Sequence, residues 1–302
     1  MAIIIHSLPE FVEQICKVNN GIRNDYLRRE RLLFRGQSNS SYALIPSIGR
    51  GRELSGDVTI FNEERNLIEM AKFKLPDVFK KDMEPLELLA LLQHHGIPTR
   101  LMDVTESAFV ALYFACCSSE EADGEVIVFV NNERDIANYP AIQAIADSYR
   151  FARGNITELS LFYGDVKTQP YFLEQKQTHD ICHKTNSDGG NWIADCCNMP
   201  LFVYAPVRSQ RQQAQKGRYL LFPNKIEKYD DIDERYFTAV INPVDKESDF
   251  VLETIIIPKE IKKQILSDLS LFGISKEDLF CDNVDKVCES IVDYYRERLK
   301  HI

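Results

Sequence analysis

The chain has 302 residues, 44% of them hydrophobic and 27% charged, with 36 basic against 46 acidic side chains and a net charge of -10. That length buries a sizeable core with no need of disulfides or metals, and the composition is ordinary for a soluble globular protein. The acidic balance excludes a general nucleic-acid binder, which needs a basic surface, but leaves room for a local basic groove.

The first residues, MAIIIHSLPEF, lack the charged start and cleavage site of a signal peptide, and no run of eighteen apolar residues follows. The eight cysteines are scattered and include two adjacent doublets, Cys116-Cys117 and Cys196-Cys197. The expectation is a cytoplasmic protein with reduced thiols and no membrane partner.

In chain order, residues 3–18 read as a strand entering a helix, with Ser7-Leu8-Pro9-Glu10 at the helix start. Residues 32–37 read as a strand, 38–41 as a turn and 42–47 as a second extended piece. A loop at 49–57 precedes helical patterns over 58–75 and 84–95. The second ends at His95-Gly96, where glycine supplies a left-handed cap. Pro98 forces an extended approach to a short strand at 99–104, and Asp103 or Thr105 starts a helix with Ala108, Ala111 and Ala115 at helical spacing.

A continuous apolar run at 125–130 predicts a buried strand. Residues 134–178 read as helices broken by Pro140, Gly154, Gly164 and Pro170. Residues 185–198 read as a loop around Trp192 that could form the lip of a site. Strands follow at 201–207 and 219–222, with a basic segment from Arg208 to Arg218 between them. An acidic stretch at 227–249 contains a strand at 237–241, and another strand spans 251–257. Two helices around Gly273 close the chain, the second ending at Tyr294-Tyr295-Arg296-Glu297-Arg298. Strands and helices mix without regular alternation, which predicts an α+β fold in one domain over 1–302, its core at about 25–258 and a helical segment at 259–302.

Phe34-Arg35-Gly36-Gln37, Pro46-Ser47-Ile48, Arg50, QHHGIPTRLMDVT and ALYFA together resemble the FRG domain family. Arg211, Gln215 and Gly217 before an aromatic strand match its later motif, and Ile256-Ile257-Pro258 its ending, so the resemblance spans about 25–290. Met102 and Val104 stand where the family tends to carry Leu and Trp. Proteins of that family are mostly bacterial and phage-associated, often in mobile or defence-related contexts, and the resemblance implies a domain name more firmly than an activity.

An arginine strand, a hydroxyl-bearing strand feeding a small-residue helix, and a late loop-strand motif look like the ADP-ribosyltransferase plan, in which NAD lies in a cleft of a split sheet. Carried over by position, Arg35 would hold the pyrophosphate, with Gly36 letting the ligand approach. Thr99, Asp103 and Thr105 would orient the nicotinamide ribose, with Arg100, Tyr113 and Arg211 completing the NAD site. Gln215 falls where the acidic motif begins, but Gly217 replaces the catalytic glutamate and no carboxylate lies between Arg208 and Glu227. Gln215 can accept a hydrogen bond in the catalytic position but brings no charge, so the electrostatic role at the ribose would fall to Asp103 or Glu253.

The expected function is an ADP-ribosyltransferase-like effector using NAD to modify a protein or nucleic acid, as the toxin of an anti-phage or toxin–antitoxin system with an antitoxin or regulatory partner. The alternatives are a non-catalytic domain sensing a nucleotide or phosphorylated ligand, and an interaction protein whose partner covers 227–249. Structural readings stand beside these: Arg35–Asp103 as a buried ion pair, Asp103 with Glu106 as a capping box, and His94 and His95 interacting with the helix dipole. His179 and His183 are four apart, as zinc ligands on one helix face would be, but the cysteine spacing fits no standard finger and no metal is expected. There is no G-x-x-x-x-G-K and no G-x-G-x-x-G, which sets aside P-loop and Rossmann readings.

Overall fold

The computed structural model describes residues 2–23, 31–51, 59–131, 140–152, 154–177, 179–206, 209–228 and 234–280. The end of the last predicted helix, Arg208 and most of the loop at 49–57 lie outside them. Strand β1 (Ile3–Ile4) leads into helix α1 (Leu8–Arg23), and β2 (Arg31–Gln37) into α2 (Glu64–Lys74) and α3 (Pro85–His94). Next come β3 (Leu101–Thr105), α4 (Ala108–Cys116) and β4 (Gly124–Asn131). The middle holds α5 (Pro140–Ala146), α6 (Ser148–Phe151), β5 (Ile156–Glu158), α7 (Leu159–Val166), α8 (Pro170–Leu173) and α9 (Asn186–Cys196). The remainder is β6 (Leu201–Val203), α10 (Gln210–Ala214), β7 (Gly217–Leu221), β8 (Ile226–Lys228), β9 (Arg235–Thr238), β10 (Glu253–Ile257), α11 (Lys262–Leu271) and α12 (Lys276–Leu279).

The fold is mixed α+β, as expected. Seven strands form one sheet in the order β1-β10-β4-β2-β3-β7-β6, antiparallel except for β1 on β10, and β5-β9-β8 form a smaller antiparallel sheet. The large sheet divides in its middle. Strand β2 pairs with β4 over all seven of its residues, and β3 with β7 over all five, whereas β2 and β3 meet only at Phe34 and Thr105.

Each half of the sheet buries one face under its own helices. Phe34, Val126, Val128 and Ile255 pack under α1, α4 and α11. Leu101, Tyr219 and Leu221 pack with α3, α5, α7 and α9. The opposite face is sealed by Leu33, Met102, Val104, Ile127 and Leu220 against the segments around Leu44, Phe61 and Val244. Met102 and Val104 are thus packing residues on the closed side. Helix α4 lies unusually close to the sheet, because a Cβ at Gly36 would overlap the carbonyl of Ala111, and one at Gly124 that of Ala115. Among the described residues no helix is long and apolar enough to cross a membrane.

Several boundaries differ from the sequence reading. Gly96 does end α3 with a positive φ of 83°. Strand β3 begins at Leu101 rather than Thr99, and α4 is capped by Ser107, whose side chain accepts from the Val110 amide at 3.4 Å, rather than by Asp103 or Thr105. The glycine-rich stretch at 185–198 is helix α9, started by Thr185 accepting from the Asp188 amide at 3.1 Å. The basic segment contains α10, which follows Ser209 accepting from the Gln212 amide at 3.0 Å.

Candidate functional site

Where β2 and β3 part, a cleft of about 270 Å³ opens between the two helical layers. It is lined by apolar Phe34, Val110 and Phe114 together with polar Arg35, Asp103, Arg211 and Gln215. A neighbouring cavity of about 160 Å³ shares His94, Ser209 and Gln212 with it and runs back along α3 to Glu87.

Arg35 occupies the fork itself. Its Nη1 donates to the main-chain carbonyl of Asp103 at 2.6 Å, taking the place of the ladder bonds that β2 and β3 do not make. Its Nε is buried and has no hydrogen-bond partner. Burial pushes the guanidinium pKa down to about 10; nearby Asp103 opposes this, and Arg50 adds to it. The Asp103 side chain, the exposed position of β3, opens into the cleft and is the one carboxylate among its described lining residues. The Arg35–Asp103 contact is therefore made through main chain, not as a closed ion pair.

Thr105 and Gln215 reach the cleft already engaged. The Thr105 hydroxyl donates to the Gln215 carbonyl at 2.7 Å and accepts from the Ser107 amide at 3.0 Å. The Gln215 side-chain amide donates to the carbonyl of Leu279 at 3.0 Å. Arg211 lies with its guanidinium 4.8 Å from the Phe280 ring centre. Tyr219 adds a phenol whose pKa is raised by burial and by Asp103.

The other residues read from the sequence as NAD ligands are placed elsewhere. Arg100 is 1% exposed and forms a buried ion pair with Glu64, with Nη1 also reaching Asn224 Oδ1 at 3.1 Å. It is a core strut outside the cleft. Thr99 is buried and donates to Gln93 Oε1 at 2.6 Å while accepting from the Leu101 amide at 3.2 Å. It acts on the cleft only through Gln93, which lines it. Tyr113 packs into the core under α4, and burial drives its pKa up to about 12. Gly36 borders the cleft, but the space it leaves is taken by α4.

Glu253 on β10 pairs opposite Val128 and stands away from the cleft, so it cannot supply the missing carboxylate. Glu106 is engaged by Arg218 at 2.9 Å. Trp192 is also outside the lining. His183 Nε2 lies 2.6 Å from the Lys176 carbonyl on a short 3-10 turn, so His179 and His183 do not share a helix face. Among the described residues no three His, Cys, Asp or Glu side chains converge as a metal set.

Phe34, Gln93, Phe114 and Tyr219 are lining residues that the sequence reading missed. Phe34 and Phe114 sit inside the recognised motifs, where they pass for core; only the sheet's division exposes an edge of each.

No curated protein and no solved structure matches the chain. The family match is shorter than the stretch over which the motifs resemble the family, running from just before β2 to the first residue of β4 and thus including both walls of the fork but not the Arg211–Gln215 side. Residues 30–124 of the 302 match the model of the FRG domain.

Proposed function

We propose that the cleft at the fork of the sheet binds NAD and that the protein transfers ADP-ribose from it to a macromolecule, as the effector of a bacterial anti-phage or toxin–antitoxin system. The observation that carries this reading is Arg35: a guanidinium fixed by one main-chain carbonyl, with a buried Nε left without a partner, in a cleft of mixed apolar and polar lining. Such a group favours an anion that satisfies it, and a pyrophosphate does so with directed hydrogen bonds. Phe34, Val110 and Phe114 suit the flat face of a base. The cleft has room for about one nucleotide unit, and the neighbouring cavity along α3 for the rest.

In this reading Asp103 takes the role of the absent glutamate. Its negative charge faces the site, where it would stabilise the positive charge that builds on the ribose as nicotinamide leaves. A cytoplasmic setting accords with the free cysteines among the described residues, three of them buried. A second reading, binding without transfer, is favoured by one specific observation: the Thr105 hydroxyl and the Gln215 side-chain NH2 already donate to protein carbonyls.

Incubation with NAD and a cell lysate separates the two. Transfer predicts released nicotinamide and ADP-ribosylated macromolecules, both lost in Arg35→Ala and Asp103→Asn. A thermal shift by NAD with no nicotinamide release selects the sensor. Neither release nor shift refutes both.

A further inference from the structure

The wall of the cleft opposite Arg35 is a short arch made of α10, the turn through Gln215 and Lys216, and the start of β7. Little within the arch explains why it holds its shape. Helix α10 has five residues, far below the length at which a helix is stable alone, and none of its side chains is buried. Lys216 adds a left-handed backbone, φ 46°, at a residue that is not glycine.

Supports from outside hold the arch. At one end the Thr105 hydroxyl donates to the Gln215 carbonyl and the Glu106 amide to the Lys216 carbonyl at 3.1 Å. At the other is the C-terminal turn after α12, which is anchored by buried Leu279 and by the Ser275–Asp278 capping box. There the Leu279 carbonyl receives the Gln215 amide, and the Phe280 ring carries the Arg211 guanidinium. Phe280 in turn meets Phe114 edge-on at 6.2 Å, and Phe114 lines the cleft from the α4 side. Phe280 thus touches both walls through residues that face the cleft, although it lies more than 150 residues beyond the family match at 30–124.

We infer that Phe280 is a positioning residue for the candidate site: it holds Arg211 in place opposite Arg35, so the C-terminal segment sets how tightly the cleft binds an anionic ligand. A free arginine loses rotamer freedom on gripping an anion, and an arginine already held on a ring loses less. The ligand part of this inference rests on the nucleotide reading above; the support of the arch does not.

The test is calorimetric titration of the full chain with NAD and with ADP-ribose, together with ligand-free amide hydrogen exchange across residues 210–216. Phe280→Leu is expected to raise Kd by about three- to tenfold, the size of a cation–π contact, and to speed exchange in the arch. Phe280→Trp restores both. In an Arg211→Ala background, Phe280→Leu changes the affinity no further, an outcome that general loss of stability would not produce. Equal affinity in Phe280→Leu, or an additive loss on top of Arg211→Ala, overturns the inference. If the wild type binds neither probe, the nucleotide reading falls and exchange alone decides: unchanged protection in Phe280→Leu overturns the support of the arch, and faster exchange upholds it.

Discussion

Two arginines from the recognised motifs, Arg35 and Arg100, enter the protein interior and end in opposite circumstances. Arg100 is satisfied by Glu64, Asn224 and the Phe222 carbonyl, while Arg35 keeps a buried nitrogen without a partner. Removing one partner of a buried pair leaves a charge with no compensation, so Glu64→Gln should cost roughly 3–5 kcal/mol in urea denaturation. A loss under about 1 kcal/mol would contradict a structural role for Arg100. Arg35 predicts the reverse. Its pKa of about 10 lies below the ordinary 12.5, so in that interval the unfolded chain binds more protons and stability rises with pH; at neutral pH the desolvated charge is a cost. Arg35→Met should therefore abolish the NAD-dependent thermal shift while leaving the ligand-free Tm unchanged or raising it by about 2–4 °C. A large fall in Tm would make Arg35 a strut like Arg100. Since the anion requires the charged guanidinium, affinity should be flat through neutral pH and fall as pH rises through about 10. Sequence singled out Arg35 and Asp103, which the structure brings to one cleft, because each lies within a recognisable motif. It could not separate them from Arg100 and Thr99, because that distinction depends on where β3 begins.

Among the elements, the strands and long helices were legible from their apolar periodicity, and the two missed helices have separate physical causes. Composition marks α9 as loop because Asn, Ser, Asp and Gly have low helix propensity, yet Gly189 and Gly190 are required by packing. A Cβ at Gly189 would run into the Tyr163 ring, and one at Gly190 would crowd the backbone of α7 at Leu159 and Ser160. Tertiary contact thus selects the glycines that propensity counts against. The same substitution should change sign with its surroundings. Gly189→Ala should destabilise by about 1–3 kcal/mol through overpacking. Gly21→Ala, in α1 with open space around it, should stabilise by about 0.5–1 kcal/mol. Chemical denaturation of both variants measures this, and a stabilising Gly189→Ala would mean that α7 and α9 are not packed as described. Helix α10 was missed for a different reason: it has no apolar face to detect. Ser209 with Gln212 three residues on was the available sign, a capping-box spacing.

At the scale of the molecule, the α+β class followed from irregular alternation, but the strand order did not, because its decisive pairs are remote in sequence. Strand β10 inserts between β1 and β4, and β7 joins β3 from over a hundred residues away. The candidate site inherits that remoteness, since its walls come from β2, β3 and α4 on one side and from residues 209–219, backed by Leu279 and Phe280, on the other. The matched segment therefore should not work, or fold, by itself. Residues 30–124 contain β2 and β3 but only the first residue of β4, and the two strands they keep meet at the single pair Phe34–Thr105. The ladders that stabilise each strand, β2 on β4 and β3 on β7, are both cut. A sheet needs about three paired strands or a packed face to persist in water. The isolated 30–124 fragment should thus show no cooperative thermal transition and poor amide dispersion by NMR, and should not bind NAD or ADP-ribose. A folded, ligand-binding fragment would place the site wholly within the matched segment and remove Arg211, Gln215 and Phe280 from it.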